Sequence, residues 1–473
     1  MKIFKGKTFF IKSIFIHIFL VLIIAFISIN FWESPIYDTM TNLTDSTMKG
    51  SDEISLIIID NKSIDSYRWP WARSLYGEVF DYLNKHTNAK VVVFDSILSN
   101  LDKNNPPSSD NYFFDVVKNS DNYIGGYMAL PTLYENTELG ANYDEDFQHK
   151  FSIDVADKRT KNNSRYSSYN SLTMFPKAYF DAQKNVGSVN LTLNSVDGVL
   201  RDATDLISYN DNYYPSLALK AYMMANKTNK LTLTNKYLFV DKTGLKVPVF
   251  NTNGDIRHRI KFCKFLPNSE YTHKTYSAID IINSDRLIKQ GKKPIISPKE
   301  FDNKIIFVGA NALAVEDVLK TVTATKHPGV DIQATILDNF LNNQFMTEFN
   351  GLVNILTIVL LSAITFAIIR FMAFLPSLFT LIGFAILYFI FCIICFNNNV
   401  VPLVITPLAV QLSTMIFGYS YRFILEGRNK EKIKNAMGKY LSQDIMKNVV
   451  QNIDDIKLGG KKANVTVLFA DIR

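Results

Sequence analysis

At 473 residues the chain has room for more than one domain, and its apolar residues are spread unevenly along it. Its net charge of +7 gathers beside the apolar runs, which marks membrane orientation and excludes a nucleic-acid footprint. Of three cysteines, Cys392 and Cys395 lie inside an apolar run and Cys263 stands alone, so an internal disulfide around Cys263 is excluded.

Residues 1–12 are a basic tail with Lys2, Lys5, Lys7 and Lys12 and no acid. Residues 13–32, SIFIHIFLVLIIAFISINFW, lack Asp, Glu, Lys and Arg. A helix of about 20 such residues crosses a bilayer. A cleaved signal peptide starts in the same way, but this run is long and Ile29-Asn30-Phe31-Trp32 offers no small-residue cleavage pattern. An uncleaved anchor is expected, with Trp32 at the interface.

Residues 33–348 alternate two periods. EISLIIID (53–60) is a β-branched run typical of a strand buried on both faces, and AKVVVFDSIL (89–98) is a second. Between them SLYGEVFDYLNKH (74–86) sets Leu75, Val79, Tyr82 and Leu83 on one helical face, with Ser74 as the expected N-cap. Strand, helix, strand at this spacing is a parallel unit, so the domain is expected to be α/β. KIIFVGA (304–310) reads as another buried strand and DIQATILDNFLNN (331–343) as a helix. Residues 100–171 are polar and rich in Asn and Tyr, and read as loops or an insertion.

Asp60 and Asp95 end two strands expected to be neighbours, where ligand crevices open in parallel sheets. Arg68, Trp69, Trp71 and Arg73 lie in the connection and could clamp an anion or stack on a ring. The competing account has the carboxylates capping turns and Pro70 holding a corner between two buried indoles. That account is preferred for the tryptophans, and Asp60, Arg68, Arg73 and Asp95 stand as a candidate sensor pocket. His258, His273 and His327 are scattered in sequence, so only the fold could assemble a metal centre from them, and none is expected.

Three more apolar runs follow at 349–369, 371–396 and 400–421, giving four expected transmembrane helices. Cys392 and Cys395 read as small membrane residues rather than half a zinc site. Arg370 is the only charge between the second and third runs. Beyond the last, Arg422, Arg428, Lys430, Lys432, Lys434 and Lys439 outnumber Glu426 and Glu431. The positive-inside rule puts these regions and both termini in the cytoplasm and 33–348 outside. In the cytoplasmic helix and linker expected at 422–463, Ile433, Met437, Leu441, Ile445 and Val449 form one apolar stripe, which pairing with a second copy would bury. A homodimer is therefore expected. A transporter is disfavoured, since the runs carry no ionisable group but His17.

Several blocks in order resemble the second class of CHASE-type extracellular sensor domains over roughly 33–345: DNKSIDSYRWPWARSLYGEVFDYL, AKVVVFDSIL, SVDGVLRDATDLI, KIIFVGANALAVEDV and HPGVDIQATILDNFL. That family typically sits between one N-terminal span and three later ones, the arrangement counted above. The final stretch, GKYLSQDIMKNVV followed by IKLGGKKANVTVLFADIR, resembles the entry to class III nucleotide cyclases. This resemblance implies that 464–473 is the first strand of a ferredoxin-like α/β catalytic domain, with Asp471 as one of its two metal-binding aspartates. It also implies two Mg²⁺ or Mn²⁺ ions in the complete enzyme and ATP or GTP as substrate, cAMP being the favoured product. The second aspartate and the base-reading residues are missing from the chain, so these residues alone are expected to be inactive. The expectation is thus the sensor half of an adenylate or guanylate cyclase in the plasma (cell inner) membrane, driven by an unknown extracytoplasmic stimulus. The alternative is a non-enzymatic receptor that signals through a partner protein.

Overall fold

In the computed structural model the described residues are 2–44, 46–131, 144–160, 169–173, 175–252, 255–312, 315, 317–438 and 466–471. The chain separates into one unit of Ile27–Asn354 with Ile386–Ile405, and another of Met1–Phe26, Ile355–Ala385 and Thr406–Arg473.

Along the chain, helix α1 (Lys2–Ile27) passes through a short π-helical segment, Ser28–Trp32, into α2 (Glu33–Leu43). The sensor-like unit then forms around six parallel strands: β1 (Ile54–Ile59), β2 (Val91–Phe94), β3 (Tyr123–Tyr127), β4 (Val186–Ser188), β5 (Lys274–Ser277) and β6 (Ile305–Ala310). Their spatial order is β5-β1-β6-β2-β3-β4. One register row runs Tyr276, Ile57, Val308, Phe94, Gly125 and Val186 across the whole sheet. Every residue of β1 is buried, which requires cover on both faces. Helices α3 (Asn61–Ser66), α4 (Arg73–His86) and α5 (Pro107–Lys118) follow in sequence, then α6 (Leu217–Ala225), α7 (Ala278–Lys289) and α8 (Gly329–Asn342). On one face Tyr76, Phe80, Phe113 and Ile282 of α4, α5 and α7 join Ile57, Phe94 and Val308 in a single apolar core. On the other, α6 and α8 pack on each other and on β2, β3 and β6. Two four-stranded sheets, one built around Asp202–Tyr209 and Asp255–Arg259, complete the unit.

The α/β expectation holds, with three corrections. First, β6 lies between β1 and β2, so Asp60 and Asp95 do not end neighbouring strands. Second, the stretch read as loops contains α5 and the interior strand β3. Its YIGGY sequence hides the strand, yet Gly126 is demanded by packing, because a Cβ there would sit 2.9 Å from the backbone oxygen of Ser96. Third, α4 begins at Arg73 with Ala72 at the N-cap, while Ser109 Oγ of α5 receives the Ser74 N–H at 2.9 Å. One tertiary contact thus does the capping assigned to Ser74.

Among the described residues three helical stretches are long and apolar enough to cross a membrane: Ile14–Leu43, Gly351–Phe371 and Phe374–Asn397. These include α9 (Gly351–Phe371) and α10 (Phe374–Asn397). The run expected at 400–421 is not one of them. Its first residues, Val400–Val401, pair in parallel with Thr347–Glu348, and α11 (Ile405–Met437) starts later. Polar residues dilute the apolar character of α11, and several find neighbours within the helical unit. Gln411 Nε2 donates to Leu381 O at 3.2 Å, Tyr419 and Ser377 share a hydroxyl bond of 2.6 Å, and Arg422 Nη1 donates to Met372 O at 2.7 Å.

Residues 466–471 are exposed and form no strand, since no described segment pairs with them. The rest of the expected cyclase strand, 464–465 and 472–473, lies outside the described residues. Of the expected signalling stripe, Ile433 is exposed on α11, and Leu441, Ile445 and Val449 lie outside the described residues.

Candidate functional site

In a parallel sheet the backbone N–H and C=O groups of the strands are paired, so the open polar positions gather where the chain leaves the strand ends. Here the connections diverge at the middle of the sheet, because β6 inserts between strands formed much earlier in the chain. Such a point leaves a crevice at the carboxyl ends of the strands. A cavity of about 390 Å³ occupies it, lined by Asp95 after β2, Ala310 at the end of β6, Met128 after β3 and Val189 after β4. Asp317, Leu319, Trp69 and Gln333 of α8 complete the polar and apolar walls.

Asp95 is half-buried and its backbone N–H donates to Val308 O at 2.9 Å. Burial pushes its carboxyl up to about 8, and the charge of Asp317 adds to that rise. Burial also raises the Asp317 carboxyl. Among the described residues neither side chain has a hydrogen bond or an ion-pair partner. Asp317 lies against the first residue of α8: Gly329 N donates to Asp317 O at 2.9 Å, and a Cβ on Gly329 would come 2.6 Å from Asp317 Oδ2. Glycine is what lets this carboxylate approach the helix N-terminus. One turn along α8, Gln333 is 2% exposed. Its Nε2 reaches Val189 O at 3.4 Å, and its Oε1 is buried without a partner. Asp317 is exposed and Asp95 half-buried, so water reaches both carboxylates, while Gln333 Oε1 is the buried acceptor of the crevice without a partner.

Of the four candidate pocket residues, the fold brings only Asp95 to this crevice. Asp60 caps α3: its Oδ1 accepts from Ser63 N at 2.9 Å, Ser63 Oγ at 2.7 Å and Ser277 Oγ at 2.8 Å. Arg68 is exposed. Arg73 lies 3.9 Å from Asp110 and stacks 5.9 Å from the Tyr76 ring, serving the packing between α4 and α5. The corner expected at Pro70 is present with one indole inside it: Trp71 is buried, while Trp69 is half-buried and faces the crevice. Asp317 and Gln333 were missed. Asp317 follows a strand as Asp95 does, but at a distance of several residues that hides the relation.

A second carboxylate group lies deeper. His273 Nδ1 meets Asp331 Oδ1 at 2.8 Å, and its Nε2 meets Asp338 Oδ2 at 2.9 Å. Asp331 Oδ2 also accepts from Thr272 N at 2.7 Å and meets His327 Nε2 at 3.1 Å. Burial alone would depress His273, but hydrogen bonds and charges from both aspartates outweigh it and hold the imidazole up at about 9. Burial acts to raise Asp331, yet its histidine partners hold the carboxyl well below the ordinary range. An imidazolium with two carboxylates uses both ring N–H groups. Cys263 Sγ, His273 Nε2 and an Asp338 oxygen converge within 4.8 Å, a set of metal-ligand types. Sγ donates to Asp338 Oδ2 at 3.4 Å, and burial beside that carboxylate raises the thiol strongly. His258 is separate, bonded through Nδ1 to buried Asp205 at 2.8 Å. Asp471 is exposed and belongs to no ligand group among the described residues.

A family model described as CHASE2 domain matches residues 16–367. No curated protein and no solved structure matches the chain.

Proposed function

The chain belongs to the CHASE2 domain family, an extracellular sensor domain typical of signalling receptors, and from that premise we propose that the crevice beside Asp95 receives the signal and helix α2 relays it to the membrane. The segment from Asp317 to Val322, which includes the short strand Val318–Leu319, carries this reading. Leu319 lines the crevice, Lys320 O accepts the Leu200 N–H at 2.8 Å, and Val322 O accepts from Asn42 Nδ2 at 3.1 Å. Asn42 stands on α2, which continues the first apolar helix. Arg201, next to Leu200, grips the same helix through Asp38 at 2.8 and 2.6 Å and is anchored by Asp197 at 3.0 and 2.7 Å. A ligand that shifts this segment would act on partners of α2 directly, which supports coupling without a long relay.

Around this core the finer reading is a multi-pass protein of the cell's inner membrane with both termini in the cytoplasm. The parallel pairing of Thr347–Glu348 with Val400–Val401 supports a turn at 398–404 on the sensor's side. Residues 405–421, free of Asp, Glu, Lys and Arg, then serve as the fourth crossing, their polar side chains bonded to other helices rather than to lipid. The output is a homodimeric class III adenylate or guanylate cyclase, cAMP ahead of cGMP, with ATP or GTP and two Mg²⁺ or Mn²⁺ ions and Asp471 among the metal ligands. Support for that output is the resemblance of the final residues.

The test is a fusion of the chain to an intact class III catalytic domain, read as cyclic nucleotide in cells. Asn42→Ala and Arg201→Lys are expected to change output severalfold at unchanged surface abundance. Wild-type output from both variants would overturn the coupling.

A further inference from the structure

If the crevice is the receiving site, its chemistry also selects what it receives. We propose that it binds a small organic ammonium ion, an amine with a short apolar body, whose N–H donors go to Asp95, Asp317 and Gln333 Oε1. This deepens the receptor reading and rests on it.

The polar groups of the crevice set the sign. Two carboxylates face the cavity, and no described cation pairs with either. The arginines nearest in sequence are committed elsewhere, Arg73 to Asp110 and the Asn100 carbonyl, with Arg68 exposed. Gln333 adds a buried carbonyl oxygen with no donor, its amide nitrogen having turned to Val189. Leaving a buried acceptor unmet is costly, so a donor from outside the chain gains by meeting this one. Once ionised, the two carboxylates repel an anion. A neutral alcohol could donate to the oxygens but would leave their charge unbalanced. A primary ammonium offers three donors and one positive charge, matching three acceptors.

The walls set the body of the ligand. Ile97, Met128, Leu191 and Leu319 are apolar, and Trp69 offers a ring face. A bare divalent ion such as Ca²⁺ takes about six to eight oxygen ligands, two to nearly three times what the three acceptor side chains offer singly. The volume of about 390 Å³ also exceeds the need of a bare ion and suits an organic molecule.

The full chain in lipid nanodiscs would be titrated calorimetrically with n-butylammonium and phenethylammonium at a pH just above about 8, where the Asp95 carboxyl is ionised. Parallel titrations would use 1-butanol, butyrate and Ca²⁺. Binding by the two ammonium ions is expected, with the alcohol, the carboxylate and the metal at least about tenfold weaker, the loss expected when a charged hydrogen bond is forfeited. Asp95→Asn and Gln333→Leu should each weaken n-butylammonium by about tenfold. Asp317→Asn supplies a third, independent reading should either fold poorly. Equal or tighter binding of butanol, butyrate or Ca²⁺ would overturn the proposal, as would wild-type ammonium affinity in the folded variants. The fusion experiment on Asn42 and Arg201 uses no added ligand. Absent ammonium binding alongside altered fusion output would therefore sink the ligand class and leave the receptor reading standing, and the opposite pair of results would do the reverse.

Discussion

Asp331 and Asp338 are completely buried, yet each meets histidine and backbone or hydroxyl donors, and His273 supplies a cation between them. Asp95 and Asp317 are less buried and have no such donor among the described residues. Burial drives both groups toward higher pKa, but partners reverse the direction at Asp331 and do not at Asp95. The difference separates architecture from a waiting site. A buried charge cluster that closes on itself holds the fold, whereas a half-buried and an exposed carboxylate without a cation between them stay open to a ligand.

The largest effect expected follows from removing the cation of the closed cluster. His273→Leu leaves Asp331 and Asp338 buried beside each other with an apolar neighbour, and breaking a buried pair in this way costs about 3–5 kcal/mol. Denaturant unfolding of the detergent-solubilised chain should show that loss. An unmoved midpoint would mean that the network carries no weight, and the contrast with Asp95 would collapse.

Titration tests the same contrast at a somewhat smaller scale. His273 is raised in the fold to about 9 from an ordinary 6.5, so the folded state holds its proton more tightly than the unfolded chain. Its contribution is complete below about pH 6.5 and is lost as pH rises through 9, on the order of 3 kcal/mol. Asp95 is raised to about 8 from 3.8, so its ionisation penalises the fold progressively between those values. Both groups make stability fall with rising pH, in overlapping windows. Melting temperature against pH in His273→Leu should lose the alkaline part of the slope, and in Asp95→Asn the acid-to-neutral part. Parallel curves for wild type and both variants would refute the assignments.

At pH 8 Asp95→Asn should stabilise the chain by about 1–2 kcal/mol, a figure reduced for the solvent that reaches a half-exposed carboxyl. Gain of stability with loss of ammonium binding is the pattern of a functional group. Thermal melting at that pH reads it, and destabilisation would instead place Asp95 with the architectural carboxylates.

How much of this was legible in the sequence depended on how local the signal was. The runs ISLIII, VVVF and IIFVGA announce β1, β2 and β6 because buried parallel strands are continuous apolar stretches. Strand β3 escapes because Gly125 and Gly126 answer to neighbours, Gln183 and Val189, that lie far along the chain. Asp95 was found because it directly follows its strand. Asp317 was not, since the loop from β6 carries it away and the N-terminus of α8 brings it back. The histidine network is invisible to any spacing rule, for His273 precedes β5 while Asp331 and Asp338 belong to α8. Insertion of β6 between β1 and β2 is likewise a property of the sheet, and it is what parted Asp60 from Asp95.

Asp60 therefore gives the finest test. In sequence it is the twin of Asp95, an aspartate closing a buried strand ahead of a helix or loop. In the fold its carboxylate is satisfied by Ser63 and Ser277 as the cap of α3. Asparagine caps a helix about as well as aspartate, because the side-chain oxygen that accepts the N–H remains. Asp60→Asn should thus change stability by no more than about 0.5 kcal/mol and leave n-butylammonium affinity untouched. The identical substitution at Asp95 should alter both. If Asp60→Asn abolished binding, the crevice would extend to β1 and the candidate pocket read from strand ends would regain a member. If it left binding intact, one exchange of oxygen for nitrogen would distinguish a carboxylate that holds the fold from one that the fold holds ready.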